Sequence, residues 1–166
     1  MPATTAKDIF LVLLSHVRQS SEKAATIYQE LGQVVQDPQI KEALEARAFL
    51  SQKTVATLNQ CFKVIGEEPV KLPGRLQEVF LEDFRKELAE IQALAAKRLF
   101  VLAKLIQLTH LRIGEYVALT AAADAAGHYG VGVMLETCLA DKLVFVERTR
   151  RLIHHMVETR IAERAA

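Results

Sequence analysis

The sequence predicts an all-α protein, a four-helix bundle with one short extra helix between its second and third long helices. Two observations carry that reading. The four prolines and seven glycines of the 166-residue chain fall mostly in a few short clusters. Between the clusters, apolar residues recur at alternating spacings of three and four, the period of a helix that buries one face. The chain is long enough to bury a substantial core as a single domain, residues 1–166.

The first helix is expected from about Thr5 to Val35. Phe10, Leu13, Val17, Ser20, Ala24, Ile27, Leu31 and Val34 form its seam. Ile9, Phe10, Leu11, Val12, Leu13 and Leu14 are consecutive apolar residues, more than a single buried stripe needs. A second subunit is the simplest cover for the surplus, so a homodimer through this segment is expected. The second helix opens at Asp37-Pro38, an N-cap followed by proline at the first helical position, and closes at Gly66. Pro69, Pro73 and Gly74 enforce a non-helical connection, and a helix restarts near Arg75.

No proline interrupts Arg75 to Ala126. Read as one helix, this stretch would span ~75 Å, far longer than its neighbours. An unpunctuated corner is therefore expected between about Ala89 and Ala96, dividing a short connecting helix from a third long helix that ends near Ala126. The glycines from Gly127 to Gly132 make the next break. The fourth helix is expected from about Val131 to Glu163, with Leu135, Cys138, Phe145, Leu152 and Met156 on one face. Such a layout is a four-helix bundle with one crossover.

The bulk numbers exclude several functions. Net charge is +1, so no global field favours nucleic acid or membrane, and the absence of Trp leaves no base-stacking platform. The basic residues near the end, Arg148, Arg150, Arg151, His154 and His155, alternate with Glu147 and Glu158 and read as a solvated face. Two lone cysteines, Cys61 and Cys138, and a start without signal-peptide character point to the cytoplasm. The most apolar stretch, Leu99 to Ile113, carries Lys104, His110 and Arg112 and reads as a buried helix rather than a membrane span.

Bundles of this shape often hold two iron or manganese ions on paired Glu and ExxH sequences from four helices. No ExxH occurs here. Glu42–Glu45 and Glu87–Glu90 have the spacing but lie near helix ends, and His155–Glu158 is close to the C-terminus. Neither a phosphate-binding glycine loop nor GxSxG is present. Thr109 is the polar residue at the centre of the third helix's apolar seam, and Arg112 lies one turn on. A buried Arg needs a carboxylate, and Asp141 beside the Cys138–Phe145 row is one expected partner, the alternative being that both side chains snorkel to solvent.

Five segments carry a resemblance: SSEK (Ser20 to Lys23), KEALEA (Lys41 to Ala46), CFKVIGEEP (Cys61 to Pro69), THLRIGEYVAL (Thr109 to Leu119) and MLETCLADK (Met134 to Lys142). In order and spacing the chain resembles the YciE/YciF-type ferritin-like proteins, a bacterial group associated with stress. The resemblance implies a ferritin-like bundle, usually dimeric, with a carboxylate-rich interior where metal could bind. Against that pattern the ligand positions fall on Ser21, Phe49, Gln52, Thr109 and Arg112, and only Asp141 keeps an acid. The expected role is that of a non-enzymatic, metal-free bundle, a stress-associated structural or partner-binding protein with no cofactor. Two rivals remain: an oxidoreductase with a reduced di-iron or di-manganese site using Asp141, Glu22 and His110, and a bundle that takes an apolar small molecule between its helices.

Overall fold

The computed structural model describes residues 4–165. Among them are five helices and no strand: α1 (Ala6–Val34), α2 (Pro38–Ile65), α3 (Leu76–Glu90), α4 (Leu94–Ala125) and α5 (Tyr129–Ala165). Each boundary has a local cause. Thr5 caps α1, accepting from the Asp8 amide at 3.1 Å while the Asp8 carboxylate accepts from the Thr5 amide at 2.9 Å. Those hydrogen bonds, first from the Thr4 backbone, hold the Asp8 carboxyl below its ordinary value. Asp37 caps α2 ahead of Pro38, and Gly66 ends it in the left-handed conformation at φ 70°. The unpunctuated corner is real and lies at Ile91–Ala93, where extended backbone separates α3 from α4.

The last break is narrower than the glycines suggest. Only Gly127, at φ 78°, takes up the turn, and His128 donates back to the Ala123 carbonyl at 2.8 Å. Gly130 and Gly132 lie inside α5. A glycine weakens a helix interior by only ~1 kcal/mol, which packing readily overrides.

α1 packs on α2 and on α4, α4 packs on α5, and α5 returns to α2. The connection 66–75 is a strap along α1. Ser15 accepts from the Val70 amide at 2.9 Å, and Gln19 and Lys23 donate to the carbonyls of Leu72 and Gly74 at 3.0 and 2.7 Å. Gly74 sits at φ 53°, and a Cβ there would come within 2.7 Å of the Gln19 amide. α3 covers α1 and α4 through Phe84, whose ring stacks on Phe100 with centroids 5.6 Å apart.

The apolar interior divides in two. One cluster joins Phe10, Leu14, Leu58, Leu119, Leu135 and Cys138. The other joins Ile27, Leu31, Leu44, Phe84, Leu102 and Leu105. Of the apolar run at the start of α1, Phe10 and Leu14 belong to the first cluster, and Leu11 and Leu13 pack against it. Val12 is half-buried, while Ile9 is 48% exposed.

Candidate functional site

Between the two apolar clusters every long helix turns polar at the same level. α1 contributes Ser20 and Ser21, α2 Arg47, Ser51 and Thr54, α4 Thr109 and Arg112, and α5 Lys142 and Thr149, all buried. The three cations are each only 2% exposed. Burying even one charge is costly unless it finds partners, so this layer is chemically the most unusual part of the molecule.

Arg112 is the best satisfied of the three. It ion-pairs with Glu115 one turn along α4, and its Nη2 donates to the Val17 carbonyl at 3.0 Å and to Ser21 Oγ at 2.6 Å. This corrects the expected pairing with Asp141. The i, i+3 spacing brings Glu115 to the guanidinium without crossing the bundle. Asp141 is half-buried on α5 and forms no ion pair with Arg112 among the described residues. Lys142 has thinner support. Its ammonium lies 3.9 Å from the centroid of the Tyr116 ring and donates at 3.3 Å to the Cys138 carbonyl. Arg47 stands over the rings of Phe145 and Tyr28, 4.9 and 5.6 Å from their centroids, and its Nε has no acceptor among the described residues.

The titration behaviour follows from this crowding. Burial, and after it the charges of Arg47 and Arg112, lower the Lys142 ammonium to about 7. Burial raises the Glu115 carboxyl above its ordinary value in spite of Arg112 and His16, whose Nδ1 lies 3.7 Å from the carboxylate. Burial also lifts the Tyr116 phenol above its usual range.

The positions singled out from sequence separate into two groups. Ser21, Thr109 and Arg112 lie in the layer. Thr109 is spent on its own helix, donating to the Leu105 carbonyl at 2.7 Å. Phe49, 67% exposed, and Gln52 face outward, so the interior of α2 presents Ala48 and Ser51 in their place. The correction is a shift of one residue, which on a helix turns a side chain by roughly 100°. Arg47 and Lys142 escaped the sequence reading. Their signal was there: Leu44–Arg47–Ser51–Thr54–Leu58 and Cys138–Lys142–Phe145 are helical rows with a cation in the middle.

These residues do not fit a divalent metal. A ferritin-like pair of ions needs acids and histidines converging from four helices, whereas this layer brings two guanidiniums and an ammonium. No group of three or more His, Cys, Asp or Glu able to hold a metal occurs among the described residues. Glu22 is exposed and paired with Arg18, and His110 faces solvent, so neither joins Asp141 in a site. The cavity within the layer measures about 10 Å³, room for one water-sized occupant. A wider groove of about 540 Å³ lies outside the layer, between the end of α1, α3 and the start of α4. No described helix is long and apolar enough to cross a membrane.

A helical bundle with a polar middle layer is thus the class that fold and site define. The chain belongs to the DUF892 family, a domain of unknown function, whose sequence profile matches residues 5–166. In fold it is similar to the Escherichia coli stress protein YciF, with a TM-score of 0.87 at 16% identity over 93% of this chain and 98% of that one. YcfI of Rhodopseudomonas palustris matches with a TM-score of 0.84 at 18% identity over 89% and 94% of the two chains. A protein of Xanthomonas campestris gives 0.73 at 18% identity over 98% and 100%. At such identities the likeness is one of fold. No curated protein matches the chain in sequence.

Proposed function

We propose that this chain is a ferritin-like four-helix bundle that has given up the di-iron or di-manganese site of such bundles and works without catalysis, as a stress-associated structural or partner-binding protein of the bacterial cytoplasm. One observation carries the reading: Arg47, Arg112 and Lys142 are buried together where a dinuclear site would need carboxylates. A divalent ion placed among three cations meets repulsion, and Glu115 beside them is already paired to Arg112. The similarity in fold to YciF, a stress protein, supports the physiological setting.

Elemental analysis of the purified protein tests this reading. Iron and manganese well below one ion per chain are expected, and a stoichiometric content of either would overturn it. An interior binder of apolar small molecules has less support, because the middle cavity is too small for one and is lined by charge. For assembly we propose a homodimer through the start of α1, where Ile9 stands exposed beside the buried Phe10. A monomer in sedimentation at micromolar concentration would end that proposal.

A further inference from the structure

The middle layer carries more positive charge than its surroundings answer. Three cations converge on one cavity from α2, α4 and α5, and α1 lines it with Ser21 and Tyr28. Glu115, partly buried beside them, has one oxygen occupied by Arg112, and the half-buried Asp141 next in sequence to Lys142 adds a second acid at the edge. With all five groups ionised the layer still holds one positive charge in excess. Aromatic faces offset part of this, but a ring quadrupole contributes ~2 kcal/mol at best, less than the desolvation of a charge. Arg47 shows the shortfall most plainly. It is 2% exposed, its side chain lines the cavity, and its Nε lacks an acceptor. The Tyr28 hydroxyl, on the same wall, is likewise unpaired among the described residues.

We propose that this cavity is a binding site for one monatomic anion of the halide class, held by Arg47, Arg112 and Lys142. The chemistry of the lining selects that ligand. Guanidinium N–H, ammonium N–H and hydroxyl groups are all donors, and an anion accepts from several of them at once. The hydroxyls of Ser51 and Thr54 complete the wall without adding negative charge, while that of Ser21 already donates to the Val17 carbonyl at 2.8 Å. Size narrows the choice further. At about 10 Å³ the cavity is far too small for phosphate, sulfate or a carboxylate ligand. A bare halide is only slightly larger than water, and the long side chains around it can give way by the difference. Bound there, the anion would neutralise the layer and tie α1, α2, α4 and α5 at one level. In that role it replaces by charge what a dinuclear metal centre does by coordination.

The proposal rests on the reading of this layer as free of divalent metal, and the two are tested apart. Full-length protein in sodium gluconate is titrated with sodium bromide or chloride at fixed ionic strength, and urea unfolding is followed. A saturable rise in the unfolding midpoint is expected, with one bromide per chain by isothermal titration calorimetry. Bromide anomalous scattering from a crystal is expected to place the ion among Arg47, Arg112 and Lys142. Arg47→Met is expected to weaken the halide affinity at least tenfold. Should that variant not fold, the anomalous map of the unaltered protein decides. A midpoint that is the same in gluconate and bromide, or a bromide bound only at the surface, would overturn the anion site. Neither result touches the metal-free reading, which falls only if elemental analysis finds stoichiometric iron or manganese.

Discussion

The two apolar clusters and the cationic layer between them draw on the same four long helices, with α3 adding Phe84 to one cluster, yet they hold the bundle together in opposite ways. In the clusters each side chain gains from burial by itself. Leu58 and Leu119 are fully buried, and each contributes about 1.5–3 kcal/mol whatever its neighbours do in detail. In the layer no residue gains by itself. Arg112 is tolerable only because Glu115, Ser21 and the Val17 carbonyl receive its donors. The lesson is that the clusters supply stability while the layer imposes conditions on it. Cutting into either should therefore produce different patterns of rescue.

The largest effect is expected from Arg112→Ala. It removes the hydrogen bonds from α4 to α1, opens a void, and leaves the partly buried Glu115 with only His16 nearby. The expected loss is about 3–5 kcal/mol in urea unfolding. Arg112→Lys should recover little of it, because an ammonium cannot reach three acceptors as a planar fork does. Leu58→Ala in the first cluster should cost a comparable ~2–5 kcal/mol, but Leu58→Met should recover most of it, since near-isosteric apolar swaps cost less than about 1.5 kcal/mol. Equal recovery in both pairs would erase the distinction between layer and cluster.

The sequence carried the clusters further than the layer, and the reason is physical. Apolar periodicity is a property of many residues at once, so it survives an error at any single one. Beside it, the punctuation placed the start of α2 at Asp37-Pro38 and its end at Gly66, and the length mismatch placed a corner between about Ala89 and Ala96, where Ile91–Ala93 lies. A polar site depends on a few residues and on rotation to within one position, so a shift of one residue put Phe49 and Gln52 where Ala48 and Ser51 belong. Arg47 stayed hidden because an arginine on a helix is ordinarily a surface residue. Its burial follows from the Phe145 and Tyr28 rings, which α5 and α1 bring over it and no local pattern announces. The ion-pair partner of Arg112 was misassigned for a related reason: the nearer acid, Glu115, lies on the same helix.

A smaller effect with the opposite sign is expected from Lys142→Met in halide-free buffer. The change removes a buried ammonium that sits beside two guanidiniums, and it keeps a similar volume over the Tyr116 ring. Replacing buried charge by apolar atoms is often neutral or stabilising, and a gain of about 1–2 kcal/mol in urea unfolding is expected here. A loss of similar size would mean that Lys142 is needed where it stands and that the excess charge is already answered within the chain.

The last effect is a pH dependence, and its sign follows from the same crowding. Burial first, then Arg47 and Arg112, lower Lys142 from its ordinary 10.5 to about 7. In that interval the unfolded chain holds a proton that the folded chain has released, so stability rises with pH. The thiols act the other way. Burial, with Cys138 adding to it, raises Cys61 from 9.0 to about 11, and burial raises Cys138. Above about pH 9 the folded chain therefore holds protons that the unfolded chain gives up, and stability falls. Urea midpoints in gluconate should climb from pH 7 to about 9 and decline beyond. Lys142→Met should lose the climb and keep the decline, because the two limbs belong to different groups. A midpoint that is flat from pH 7 to 9 in the unaltered protein would show that the layer bears no uncompensated ammonium. The contrast between a self-sufficient cluster and a conditional layer would then rest on the guanidiniums of Arg47 and Arg112.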